Sequence, residues 1–315
     1  MRPSLLIAEP DGFTPSVLIT LREWANVSLG PIAYREIRTQ LTKHDIVWIR
    51  LGHRIESRDI PTKIRCRIIA VPTTGLDHID INAVSAAGIM LASLRGEVEF
   101  LRSVTATAEH TIGLILSLLR HIPSAHSAVL RGEWDRDRFR GRELAGRRVG
   151  ILGAGRLGCM VATYLQAFGC KILAYDPRPD FPSEMPRARD LKTLLEFSEI
   201  LTIHASYSTS THHLLGMAEL SCLPRGAYVI NTSRGGIIDD RALATLLQND
   251  QLGGAAIDVI EGEPIVGRDH SLVRLALRGK SIIITPHLGG NTTDSFAKTE
   301  EFLAETIYKL WKSNI

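Results

Sequence analysis

The stretch RVGILGAGRLG at positions 148–158 decides how this 315-residue chain is to be read. An apolar run with the character of a buried strand meets Gly153, Gly155 and Gly158 in G-x-G-x-x-G spacing and passes directly into the helical CMVATYLQAFG. Glycine at the first position permits a tight turn, at the second lets a pyrophosphate approach the backbone, and at the third lets helix pack closely on strand. The helix N-terminal amides then receive the anion. The next run, KILAYD, ends at Asp176, eighteen residues after Gly158. A carboxylate there accepts hydrogen bonds from both ribose hydroxyls and repels a 2′-phosphate. Strand, turn, helix and acid in register predict an NAD site that disfavours NADP, an exclusion blurred by Arg178 two residues further on.

Outward from this turn the alternation continues. Downstream lie ILTIHA, AYVINTS, GGAAIDV and SIIITPH, which with RVGIL and KILAYD make six parallel strands of a doubly wound sheet. The proline-laden DPRPDFPSEMPRARD reads as a surface loop. Upstream, SLLIA, DIVWIR, RIIAVP and GIMLA alternate with the helical SVLITLREWA and DINAVSAAG, a βαβ pattern without a glycine fingerprint. Between the two halves, TATAEHTIGLILSLLRHI is too continuously apolar for a surface helix and is expected to pack between domains or against another subunit. The final helical segment is expected to fold back on the first domain. The predicted layout is a substrate-binding domain over 1–100, completed by 291–315, and a dinucleotide-binding domain over 101–290.

Composition narrows the function classes. Hydrophobic residues make up 44% and charged residues 23% of the chain, as in soluble globular proteins. The longest apolar stretch, IGLILSLL at 112–119, is too short to span a bilayer, and the N-terminus lacks a secretory apolar region, so a cytoplasmic location is expected. Cys66, Cys159, Cys170 and Cys222 form no C-x-x-C pair and suggest neither disulfides nor zinc. A formal charge of +3 without basic runs predicts no nucleic-acid partner. His212 and His213 have no carboxylate or cysteine at ligand spacing and read as surface histidines, with no metal expected.

Reduction of a carbonyl by a nicotinamide needs a proton donor for the oxygen and a fixed cation for any substrate carboxylate. Three residues follow strands at their carboxyl ends, the edge where such sheets bind ligands: Arg234, Glu263 and His287. An arginine at the end of a buried strand calls for an anion, and two parallel hydrogen bonds from Arg234 would clamp a carboxylate. His287 exchanges protons near neutral pH, and a buried glutamate beside it would favour the imidazolium. Taken singly, each has a structural alternative: a core histidine, a surface ion pair, a loop carboxylate. Their convergence on one edge favours chemistry.

These residues resemble the D-isomer-specific 2-hydroxyacid dehydrogenases, a family that includes phosphoglycerate, glycerate and D-lactate dehydrogenases. The resemblance rests on TTGLDHID, TAEHTIGLILSLLR, GRELAGRRVGILGAGRLG, NTSRGGIIDDRAL, GGAAIDVIEGEP and ITPHLGG, in the family's order across most of the chain. It implies an α/β architecture of two doubly wound parallel-sheet domains, a flavodoxin-like substrate domain and a Rossmann domain, with a cleft between them. It implies that Arg234 binds the substrate carboxylate, that Glu263 rather than Glu261 orients the acid–base His287, and that Asp258 faces the nicotinamide carboxamide. Gly75 and Leu76 would offer backbone amides to the substrate carboxylate, and Arg156 would reach the pyrophosphate. Leu157, His204 and Thr232 complete the cofactor-binding set. A homodimer through the nucleotide domain is implied, with RGEWDRDRF around Trp134 as an arm onto the partner.

The sequence departs from the family in two places. Where members carry Asn-x-Pro, this chain reads SLRGEVEFLRSVTAT, several residues longer. The usual His-x-Pro-Leu becomes HASYSTSTHH, which keeps His204 and has Ser206 in place of proline. In the lengthened loop, Arg95 and Arg102 either meet a second acidic group on the substrate or are solvated surface charges. No segment after the last helix matches the serine-feedback module of longer phosphoglycerate dehydrogenases, so control by that route is not expected. The expected activity is NAD-dependent interconversion of a D-2-hydroxy acid and its 2-keto acid. Two rivals keep the same fold: an NAD-sensing, corepressor-like interaction protein, and a phosphite-type oxidoreductase.

Overall fold

A computed structural model of the chain describes residues 2–313, the side chain of Tyr34 excepted. The chain divides into two compact units, one running up to Val104 and resuming at Thr292, the other spanning Thr105–Asn291. Residues 314 and 315, which the sequence reading placed in the last helix, lie outside the described residues.

The first unit contains β1 (Ser4–Ile7), α1 (Pro15–Trp24), β2 (Asn26–Leu29), α2 (Ile37–Lys43), β3 (Ile46–Trp48), β4 (Ile68–Val71), α3 (Ile81–Ala86), β5 (Met90–Ser93) and α4 (Val98–Leu101). Its parallel sheet has the order β2-β1-β3-β4-β5, the flavodoxin-like order. Successive strand residues point to opposite faces, and both faces are covered. Leu5, Ile7, Ile46, Trp48, Ile68 and Ala70 enter one core, while Leu6, Val47, Ile69 and Val71 enter the other. Burial on both sides is why these strands read as unbroken apolar runs. The strand β2 escaped the sequence reading because it is an edge whose Asn26, Ser28 and Leu29 are exposed.

The second unit contains α5 (Ala106–Leu119), α6 (Ile122–Leu130), β6 (Arg148–Leu152), α7 (Arg156–Ala167), β7 (Lys171–Tyr175), α8 (Leu191–Phe197), β8 (Ile200–Ile203), α9 (Met217–Leu220), β9 (Ala227–Asn231), α10 (Asp240–Gln248), β10 (Leu252–Ile257), α11 (Ser271–Leu277) and β11 (Ile282–Ile284). Its strands run β11-β10-β9-β8-β6-β7, all parallel. A further strand position is reduced to a parallel bridge, Ala174↔Arg187, held by Ala174 N to Pro186 O (2.9 Å) and Ala188 N to Ala174 O (2.8 Å). Counting that bridge as the third strand of this unit gives 3-2-1-4-5-6-7, the Rossmann order 3-2-1-4-5-6 with one more parallel strand, β11, at the far edge. The segment read as a surface loop therefore contributes an edge, cut short because prolines cannot donate to a ladder. The helix α5, expected to face another domain or subunit, places Leu114, Ile115, Leu118 and Leu119 in this unit's own core with Val161 and Leu165 of α7.

The last helix, α12 (Thr293–Ser313), returns to the first unit. Leu303, Ala304 and Ile307 lie in the core with Leu21 of α1 and Trp48 of β3. Full burial of side chains such as Leu303 and Ile307 stabilises by about 1.5–3 kcal/mol each. Glu300 of the same helix is fully buried, and its Oε2 accepts from the Thr14 amide at 2.8 Å while Oε1 accepts from Arg50.

Candidate active site

Close backbone packing demands glycine at two of the three positions of the turn. Gly153 has φ +97°, and a Cβ there would stand 2.5 Å from the Ala205 amide nitrogen. A Cβ on Gly158 would lie 2.0 Å from the Gly153 carbonyl oxygen, so only glycine lets α7 sit this close to β6. Beside Gly155 there is open space, with nothing nearer to such a Cβ than an Arg178 guanidinium nitrogen at 3.7 Å. That cradle at the N-terminus of a twelve-residue helix fits a pyrophosphate. Arg156 opens the helix and is half-buried, and that burial lowers its pKa from the usual arginine value. Leu157 packs on the core beneath the turn.

Asp176, just past β7, accepts from the Ala154 amide (3.0 Å) and is gripped by Arg178 in a two-pronged pair, Nε to Oδ1 and Nη2 to Oδ2, both 3.0 Å. Burial works against its charge, but the hydrogen bonds and charge of Arg178 prevail and hold the carboxyl below the usual aspartate range. The acid read as a ribose acceptor thus carries its own arginine. His204, after β8, donates its backbone N–H to Leu152 O at 2.7 Å, and its Nε2 stands 2.9 Å from Thr202 Oγ1. Burial pushes its pKa down to about 4, so the ring is neutral at pH 7.

Three adjacent strands bring the remaining residues to one edge. Ile257 of β10 pairs with Asn231 of β9 and Ile284 of β11, so the strands end level. Arg234 lies three residues past the first of these ends, Glu263 six past the second and His287 three past the third. The loops interlock. A Cβ on Gly235 would strike Glu261 N and Ile260 C, each at 2.2 Å, so the backbone after Arg234 rests directly on the loop that carries Glu263. The His287 amide donates to Asp258 O at 2.8 Å.

Within this edge His287 Nδ1 stands 2.6 Å from Glu263 Oε1. Glu263 is only half-buried, its side chain 31% exposed, where the sequence reading expected a buried glutamate. His287 has φ +55°, an unusual backbone for a residue with a side chain. Asp258 over-determines that turn, taking Leu288 N (2.7 Å) and Thr285 Oγ1 (2.6 Å) on Oδ1 and Gly289 N (2.8 Å) on Oδ2. Backbone strain kept in place by its surroundings clusters at functional positions. Arg234 Nη1 donates to Ser233 O at 2.8 Å, and its carbonyl accepts from Asn231 Nδ2 at 3.0 Å.

Two residues that sequence reasoning passed over belong here. His110 of α5 reaches Asp258 Oδ1 (3.2 Å) and Thr285 Oγ1 (3.3 Å), and Thr111 shares a hydrogen bond with Thr232 at 2.8 Å. The only signal was their place in the TAEHT motif.

In the first unit, Gly75 and Leu76 follow β4 and Arg95 follows β5, at neighbouring strand ends tied by Leu94 N to Thr73 O (3.1 Å). The lengthened loop forms α4, whose Phe100 stacks on Phe302 of α12 at 4.1 Å. Arg102 pairs with exposed Glu99 at 3.3 Å, while Arg95 is exposed.

Residues 112–289 match the family described as D-isomer specific 2-hydroxyacid dehydrogenase, NAD binding domain. A D-3-phosphoglycerate dehydrogenase of Methanocaldococcus jannaschii is 32% identical over 95% of this chain and 58% of its own length. A hydroxypyruvate reductase of Thermotoga maritima is 30% identical over 93% of each. The chain thus spans about half the length of the phosphoglycerate dehydrogenases it matches and nearly all of the shorter reductase. A crystal structure of D-lactate dehydrogenase from Aquifex aeolicus, complexed with NAD and lactic acid, superimposes with a TM-score of 0.85 at 27% identity, covering 98% of this chain and 97% of that one. No helix among the described residues is long and apolar enough to cross a membrane.

Proposed function

Because the chain belongs to the D-isomer-specific 2-hydroxyacid dehydrogenase family, we propose that it is an NAD-dependent oxidoreductase interconverting a D-2-hydroxy acid and its 2-keto acid. The observation that carries this reading is the 2.6 Å contact of His287 Nδ1 with Glu263, at the strand edge that also holds Arg234.

Bound nicotinamide supplies or accepts the hydride at the carbon that bears the hydroxyl. Gly155, Gly158, Arg156 and the first amides of α7 would hold its pyrophosphate, Asp176 its ribose, and His204, Thr232 and Asp258 its nicotinamide side. In the reductive direction His287 gives its Nε2 proton to the carbonyl oxygen, where negative charge develops. Its Nδ1–H donates to Glu263, which fixes the tautomer and the orientation of the ring. Arg234 clamps the carboxylate and so sets the neighbouring carbonyl carbon in line for reaction. Gly75, Leu76 and Arg95 are the first unit's proposed substrate contacts.

Within the same reading the protein is cytoplasmic and homodimeric through its NAD-binding unit. Trp134 (88% exposed) and Leu130 (74%) offer apolar surface there for a second copy.

Pyruvate, glyoxylate, hydroxypyruvate and phosphohydroxypyruvate, each followed by NADH absorbance, test the reading. At least one is expected to turn over, and His287→Ala should cut kcat by about 10²–10⁴-fold. Tight NADH binding with no turnover of any keto acid would point instead to the interaction-protein rival.

A further inference from the structure

Away from the Glu263–His287 pair, the second unit holds a separate cluster. His212, His213 and Glu261 have donor atoms all within 4.8 Å of one another, the one such group of three metal-ligating side chains among the described residues. Along the sequence the two histidines lack a nearby carboxylate. The fold supplies one from 48 residues away, with His213 Nε2 standing 2.8 Å from Glu261 Oε2.

The spacing suits an ion. Donors around tetrahedral zinc lie about 2.0–2.2 Å from the metal and hence roughly 3.3–3.5 Å from each other. Glu261 faces both imidazoles, with Oε2 at 2.8 Å from His213 Nε2 and Oε1 at 3.9 Å from His212 Nδ1, and one donor atom from each of the three residues lies within 4.8 Å of the other two. The imidazoles stack face to face, with centroids 3.9 Å apart and 22° between their planes. The Tyr207 hydroxyl, 3.1 Å from His212 Nδ1, stands next to the cluster. His213 holds φ +49°, kept by its amide donating to Gly236 O at 2.7 Å. Behind Glu261 lies Asp240, largely buried, which takes the Glu261 amide and stands 3.3 Å from His270 Nε2.

We propose that His212, His213 and Glu261 bind a divalent transition-metal ion of the zinc class, through two imidazole nitrogens and one carboxylate oxygen with solvent completing the shell. Glu261 precedes Glu263 by two residues, so an ion there pins the loop that presents Glu263 to the turn that presents the two histidines. The proposal is independent of the substrate reading, and its test requires no turnover.

The full chain, free of any affinity tag and stripped with chelator, is titrated with Zn²⁺ in competition with a chromophoric zinc indicator. One ion per chain at micromolar affinity is expected. Glu261→Gln and His213→Asn, the latter chosen because asparagine tolerates a left-handed backbone, should each weaken binding about tenfold or more. Co²⁺ in place of zinc should give visible absorption that is lost in both variants. Cys159→Ser and His287→Ala should bind as the parent does. Affinity no better than about 1 mM, binding that survives both cluster variants, or binding lost in His287→Ala would each overturn the assignment.

Discussion

Arg50 and Arg234 lie in two parallel sheets, each shortly after the carboxyl end of a buried strand, and they show how far such a position can be interpreted. From sequence alone the run ending at Arg50, DIVWIR, makes the same demand for an anion as AYVINTSR. In the first unit the demand is met internally. The Arg50 guanidinium donates to Asp11 O at 2.8 Å and to the fully buried Glu300, and lies 4.5 Å from the centre of the Phe296 ring. Its anion comes from 250 residues away, on the last helix. Arg234 sits instead at the edge that carries the Glu263–His287 pair. A strand-end arginine is thus evidence for an anion, and only its neighbours tell whether that anion is structural or arrives with a substrate.

Four measurements break or sharpen this comparison. The largest effect is expected from Arg234→Met: loss of two charge-assisted hydrogen bonds to a carboxylate, each about 1.5–3 kcal/mol, lowers kcat/KM for 2-keto acids by about 10²–10⁴-fold. A drop in Tm with unaltered kinetics would make Arg234 a second Arg50. The reverse outcome is expected of Arg50→Met, which strands the buried Glu300 carboxylate and destabilises the first unit by about 3–5 kcal/mol in denaturant unfolding. Equal stability would remove the structural assignment.

Next comes acid. His204 is neutral in the fold, with its pKa pushed down to about 4, whereas an unfolded histidine titrates near 6.5. Its contribution is fully present above about pH 6.5, is lost as pH falls towards 4, and amounts to about 3 kcal/mol at most. His204→Gln should flatten this part of the stability–pH curve, and an unchanged slope would show that the ring titrates normally. The smallest effect concerns Arg178, which holds both oxygens of Asp176. Releasing that carboxylate in Arg178→Ala should lower the affinity for NADPH relative to NADH by about tenfold, measured by direct binding. A shift towards NADPH would reverse the role given to the arginine.

The legibility of the molecule follows the range of its interactions. The two-sided strands were readable because burial on both faces forces unbroken apolar runs, and the glycine turn because three steric demands fall within six residues. The edge strand β2 was not, since Asn26 and Ser28 face solvent and carry no apolar signature. The bridge at Arg187 was hidden by prolines that do shorten it but do not abolish it. At the site, residue types at strand ends were visible. The contacts of His110 with Asp258, 148 residues away, and of His213 with Glu261, 48 away, were not, because tertiary packing alone creates them.

The placement of α12 has a consequence during synthesis. The second unit is one continuous span and has all its parts once Asn291 has left the ribosome, whereas the first unit must wait with one face of its sheet covered only by α1 and Phe13 until α12 emerges. Nascent chains in that interval carry a partly exposed apolar sheet and an arginine without its Glu300 counter-ion, which makes them natural clients for chaperones.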